Sequence, residues 1–168
     1  MGTKVIKITL DSASVGKAIT EVKKYKEDLI KAINALVFDL TSEGSEIATL
    51  KVLELGAFDT GELADSMRIE GVFNEDTHIG IIRSGSYYAV YVEFGTGVVG
   101  KNGPQHQWKS LFNWEHDINN HGNDGWKYIS DRDGKLHWTK GQESRPFMYE
   151  TYKELMRIAG ERLRSINI

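Results

Sequence analysis

Residues 13–56, which read ASVGKAITEVKKYKEDLIKAINALVFDLTSEGSEIATLKVLELG, decide the fold. Val15, Ile19, Val22, Leu29, Ile33, Leu36 and Leu40 follow alternating steps of four and three, which places them on one face of an α-helix. Lys26 interrupts this stripe once, and Tyr25, Ile30 and Val37 widen it beyond a strict coiled-coil seam. Asp11 and Ser12 offer N-cap side chains before the stripe, and Gly56 offers a C-terminal stop. The segment Thr41-Ser-Glu-Gly44 predicts a bend or break, because glycine costs about 1 kcal/mol in a helix interior. Helicity resumes through Ile47, Leu50 and Leu53. Unbroken, the element would run roughly 60 Å at about 1.5 Å per residue, so a kink is expected. The stripe packs either on its own domain or, in part, against a neighbouring subunit.

Working outward, Val5 to Leu10 alternates apolar and polar residues as a strand does. Asp59-Thr-Gly-Glu62 reads as a turn or helix start, with Asp59 able to cap, Gly61 setting the turn and Ser66 bracing it. Met67–Phe73, His78–Arg83 and Tyr87–Phe94 read as three strands of an antiparallel meander, joined through Asn74–Thr77 and Ser84–Ser86. As a strand, Tyr87–Phe94 would put Tyr87, Ala89, Tyr91 and Glu93 on one face and Tyr88, Val90, Val92 and Phe94 on the other. Gly95 and Gly97 let the chain turn after it. Glu93, the one acid of that run, calls for a partner, either a backbone N–H or an arginine such as Arg83 or Arg145.

Residues 98–145 differ in character and read as an insertion. They hold all four tryptophans (Trp108, Trp114, Trp126, Trp138) and a second hairpin around Asp131-Arg-Asp-Gly134. Pro146 suits the first turn of a closing helix whose stripe is Phe147, Met148, Tyr152, Leu155, Met156, Ala159 and Leu163. The expectation is one α+β domain over residues 1–168. A long N-terminal helix and a C-terminal helix pack on an antiparallel sheet, with a Trp-rich loop and hairpin inserted.

Composition narrows the function. The 168 residues are 40% hydrophobic and 27% charged, a globular balance. They contain no cysteine, which excludes a disulfide scaffold and thiolate chemistry. The formal net charge of −3 gives no global pull toward nucleic acid. No apolar run approaches the ~20 residues of a membrane span. The nucleophile elbow and the two glycine-rich phosphate loops are absent. Glu115, His116, Asp117 and His121 are chemically competent metal ligands, and their alternative is a polar exposed loop. Asp131–Gly134 begins like a calcium loop but lacks the later acids, which favours a hairpin turn. Between Val98 and Arg145, seven Lys/Arg face six Asp/Glu, without the basic groove that accompanies stacking platforms for single strands. The tryptophans therefore have three readings: a satellite core, anchors at a protein interface, or a nucleic-acid or other ligand surface. No catalytic residue, metal or cofactor is indicated.

Tyr88-Ala-Val-Tyr-Val-Glu-Phe-Gly-Thr96 resembles a motif of the tail-completion, or head–tail joining, proteins of long-tailed bacteriophages and prophages. Asp59-Thr-Gly-Glu-Leu-Ala-Asp-Ser-Met67 and Arg145-Pro-Phe-Met148 resemble two further segments of that family, in the same order. The matching positions are Asp59, Thr60, Gly61, Leu63, Ser66, Tyr88, Ala89, Tyr91, Val92, Glu93, Phe94, Gly95, Thr96, Pro146 and Phe147. The chain departs from the pattern in the insertion before Pro146 and in Phe58, which stands where a proline is common. The resemblance implies a non-enzymatic virion protein at the head–tail junction, assembled in the host cytoplasm. It implies self-association into a ring, sixfold to match a tail tube. The implied partners are tail-tube, tail-terminator or head-connector proteins, with no membrane and no sequence-specific nucleic acid. Two other readings stay open: a nucleic-acid-binding module using the tryptophans, and a metal-dependent hydrolase using Glu115, His116, Asp117 and His121.

Overall fold

The computed structural model describes residues 5–7, 9, 11–57, 59–104 and 107–165. Helix α1 runs Ser12–Glu54, 43 residues without interruption, or roughly 65 Å. Asp11 is its N-cap and accepts from the Ser14 N–H at 2.8 Å. Hydrogen bonds from the Thr9 hydroxyl and from Ser14 hold the Asp11 carboxyl below its ordinary pKa. The expected kink at Thr41–Gly44 does not occur. Thr41 donates to the Val37 carbonyl at 2.6 Å, and Gly44 is buried where Ile82 and Leu155 press on the helix. A Cβ at that position would overlap the methyl groups of both neighbours. Glycine is there for close approach, and the packing it permits offsets its poor helix propensity. The strand expected at Val5–Leu10 is not seen: Val5–Lys7 and Thr9 adopt no regular structure, and Ile8 and Leu10 lie outside the described residues, as does Phe58.

After α1 the chain turns through Gly61 (φ 91°), which takes the N-cap place expected of Asp59 and opens a single turn, α2 (Glu62–Asp65). Strands β1 (Met67–Phe73) and β2 (His78–Ser84) pair antiparallel, with Met67 opposite Ser84 and Phe73 opposite His78. The meander stops at two strands. Tyr87–Phe94, expected as a third, is a turn followed by helix α3 (Ala89–Phe94). Its Tyr and Val residues favour a strand locally, yet the Tyr91 and Val92 N–H groups both bond back to the Tyr88 carbonyl. Helical spacing there buries Val92, Glu93 and Phe94, so tertiary packing overrides local preference.

Strand alternation gives the β1–β2 hairpin two distinct faces. The inner face meets α1: His78 bonds Asn34 at 2.6 Å, Phe73 meets Phe38 edge-on at 6.2 Å, and Ile82 reaches Gly44. The outer face carries Val72, Ile79 and Ile81 beside a Glu70–Arg83 ion pair of 2.6 Å. The last helix, α5 (Phe147–Ser165), lies along the second half of α1, where Arg162 pairs with Glu43 at 2.5 Å. The core between these elements is Ala48, Val52, Leu63, Ala64, Met67, Val92 and Phe147.

The inserted region contains helix α4 (Gly97–Asn102), a hairpin of β3 (Trp126–Ile129) and β4 (Leu136–Thr139), and the short strand β5 (Gly141–Gln142). The hairpin expected around Asp131–Gly134 is present, with Gly134 at φ 67°. Bridges Thr96↔Gln142 and Gly97↔Gly141 close the base of the region. The architecture is α+β, with both long helices and antiparallel two-stranded sheets.

Candidate functional site

Glu93 is the keystone of the Tyr88–Thr96 segment. Its side chain is 5% exposed, and its two oxygens accept from the Met148 and Tyr149 N–H groups at 2.8 and 3.0 Å. These are first-turn amides of α5, so the carboxylate satisfies orphan donors and complements the helix dipole. Of the partners open in the sequence, the backbone N–H is the one observed. Arg83 pairs with Glu70, and the Arg145 N–H donates to the Val92 carbonyl at 2.8 Å. Ser144 Oγ donates to the Glu93 carbonyl at 2.5 Å, and Gln142 Nε2 donates to the Tyr91 carbonyl at 3.2 Å. Gly95 (φ 75°) lets residues 142–144 cross close by, with Ser144 N only 2.7 Å from where its Cβ would stand.

The other motif positions also hold the body together. Leu63 and Phe147 are fully buried, and Tyr88 and Ala89 pack at the edge of the same core. Ser66 Oγ bonds the Leu63 carbonyl and Ser84 Oγ, both at 2.7 Å, tying α2 to the start of the hairpin. The Thr60 hydroxyl accepts from the Glu62 N–H at 3.4 Å. The Pro146 carbonyl accepts the Glu150 N–H at 2.9 Å, and Gln142 N donates to Thr96 Oγ1 at 3.2 Å. Asp59 is exposed, 3.7 Å from Arg132.

Of the four possible metal ligands, Asp117 and His121 meet, and His116 and Asp117 line one cleft with Glu115 and another with His121. Asp117 is occupied locally: it accepts from the His121 backbone N–H and ring Nδ1, both at 2.9 Å, and from the Gly122 N–H at 2.8 Å. Those backbone donors hold its pKa low. His116 Nδ1 lies 3.3 Å from the Gly95 carbonyl, while its Nε2 is buried with no hydrogen-bond partner. Burial, and then the charges of Lys109 and Lys101, lower its pKa below 6.5. Among the described residues no group of three or more His, Asp or Glu could hold a metal ion.

Three tryptophans pack inside the insertion and against the body. Trp114 stacks on Phe94 at 5.4 Å, meets Tyr91 at 5.6 Å, and donates to the Gly95 carbonyl at 3.0 Å. Trp108 packs on Tyr149 and Tyr152 at 5.2 and 5.3 Å, and Trp126 stacks on His121 at 4.5 Å. Trp138 differs: it is 56% exposed, on the same β3–β4 face as exposed Ile129 and Leu136.

The chemistry of the surface lies in uncovered apolar faces. Val15, Ile19 and Val22 on the first turns of α1 are 42%, 52% and 54% exposed. Val72, Ile79 and Ile81 on the outer hairpin face are 51%, 50% and 45% exposed. That hairpin face was missed in reading the sequence; its signal was apolar residues on both parities of the two strands, the pattern of a sheet covered on both sides. No described helix is long and apolar enough to cross a membrane. No protein-family model, curated protein or solved structure matches the chain.

Proposed function

We propose that this chain is a structural assembly subunit, and that its setting is the head–tail junction of a long-tailed phage or prophage. The observation that carries the assembly part is the pair of exposed apolar faces, Val15, Ile19 and Val22 on α1 and Val72, Ile79 and Ile81 on the hairpin. Exposed apolar patches of this kind mark association sites. The phage setting rests on the three resembling segments, whose residues serve as body-building contacts: Glu93 caps α5, Ser66 ties α2 to the hairpin, and Phe147 fills the core. In this reading the subunits form a ring that seats on a tail tube, a tail terminator or a head connector, and the insertion meets that partner.

The test is complementation of assembly. In a phage whose copy of the gene is deleted, full heads and finished tails accumulate apart, and the purified chain restores joined particles. Joined particles in the absence of the chain would overturn the phage setting.

A further inference from the structure

Helix α1 outruns the body that it supports. Its ion pair with the hairpin turn, Lys26–Glu75 at 3.9 Å, marks where the hairpin ends. The preceding turns, from Ser12 to Tyr25, form an arm of about 21 Å at ~1.5 Å per residue. Along it Val15, Ile19 and Val22 are exposed, while Ala18 is buried. The hairpin offers a matching vacancy. Its inner face is met by α1, whereas Val72, Ile79 and Ile81 on the outer face are bare. The strands have seven residues each, about 23 Å at ~3.3 Å per residue, close to the length of the arm.

We infer that the arm of α1 packs on the outer face of the β1–β2 hairpin of a second copy of this chain. The inference rests on the assembly reading above and names its two surfaces. One chain cannot make this contact with itself, because its arm continues the same unbroken helix that already occupies the inner face. The arm carries Lys17, Lys23 and Lys24 with one acid, Glu21, and the outer side of the hairpin offers Glu70 and Asp76 beside Arg68 and Arg83, while Glu75 pairs with Lys26 of its own chain. A protomer with two such interfaces gives about 800 Å² of its surface to each neighbour at standard size. Each chain has one arm and one bare face, and these differ, so the contact is head-to-tail and propagates into a closed ring or a filament.

The test uses the full chain, light scattering over a concentration series, and circular dichroism to confirm the fold. Wild type forms species that are multiples of 19.0 kDa. Val22→Asp on the arm and Ile79→Asp on the hairpin each reduce the mass to that of one chain with helicity retained; Ile19→Asp and Ile81→Asp repeat the two lesions independently. An equimolar mixture of Val22→Asp and Ile79→Asp then forms a species of two chains and nothing larger, because only one intact arm meets one intact face. Wild-type mass in all four variants overturns the inference and leaves assembly through other faces. Dissociation by the arm variants alone overturns it in favour of arm against arm. A mixture that stays at one chain also overturns it. A monomeric wild type whose melting temperature falls with Val22→Asp places the chain's own terminal residues on the arm, again against the inference. Failure of complementation in the phage, with these masses as expected, would remove the phage setting alone.

Discussion

The two halves of α1 continue one helical spacing and meet different surroundings. From Asn34 to Glu54 the helix is held by the hairpin, by α5 and by α2, and Thr41, Gly44, Ala48 and Val52 are buried. From Ser12 to Tyr25 the stripe continues, yet Val15, Ile19 and Val22 face solvent. Periodicity alone does not say what covers a stripe; the length of the partner elements does. The hairpin strands have seven residues and α5 has 19, against 43 in α1. The difference is a helix whose far half gives one side, Thr41, Gly44, Ala48 and Val52, to the core while Phe38, Leu50 and Leu53 stay exposed, and whose near half buries Ala18 and exposes Val15, Ile19 and Val22.

The contrast can be broken most severely at the covered end. Phe147→Ala removes a fully buried ring between α1 and α3 and lowers stability by about 3–5 kcal/mol, read from denaturant unfolding. Glu93→Gln keeps the shape but loses the charge that accepts both α5 amides. It costs about 1–3 kcal/mol, and a double-mutant cycle with Phe147→Ala reads their coupling. A sharper comparison makes one substitution at both ends of the helix. Gly44→Ala drives a methyl into Ile82 and Leu155 and destabilises by about 1–3 kcal/mol. Gly16→Ala meets open space and stabilises by roughly 0.5–1 kcal/mol through helix propensity. Opposite signs in thermal melts are the expected result; equal signs would erase the distinction between the halves.

The smallest effect is with pH, and it falls on the insertion. Burial depresses the pKa of His116, so the folded form binds its proton less readily than the unfolded chain. The stabilisation is complete above about 6.5 and is lost as pH falls below that value toward the depressed one. Asp117, also depressed, adds a second loss at lower pH, as its carboxylate protonates and releases the His121 and Gly122 amides. All four tryptophans lie in this region, so their fluorescence follows both steps, while far-ultraviolet circular dichroism of α1 stays level through the first.

Much of this was legible in the chain, for reasons that differ by element. The helices α1 and α5 and the Asp131–Gly134 hairpin turn follow from local spacing and turn chemistry, but the buried side of α5 does not: Tyr152, Met156 and Leu163 of the expected stripe are exposed, and Thr151 and Ile158 are buried instead. The unbroken passage through Gly44 does not, because its cause is Ile82 and Leu155, distant in sequence. Tyr87–Phe94 misleads for the same reason: its residues favour a strand, and only the need to set Glu93 beneath the first turn of α5 makes helical spacing intelligible. A partner for Glu93 could be demanded from the sequence, since a lone acid in an apolar run must be satisfied. Which of the tryptophans would be exposed could not, because Trp126 and Trp138 sit on opposite faces of one hairpin and only the base of the insertion decides which face turns inward.

The most direct measurement of the assembly claim is the mass of the purified full chain in solution by light scattering, from dilute to concentrated. The uncovered arm and hairpin predict a species growing to a defined multiple of 19.0 kDa that holds its size at the highest concentrations. A mass of one chain throughout would contradict the claim that these faces are made for copies of the protein itself.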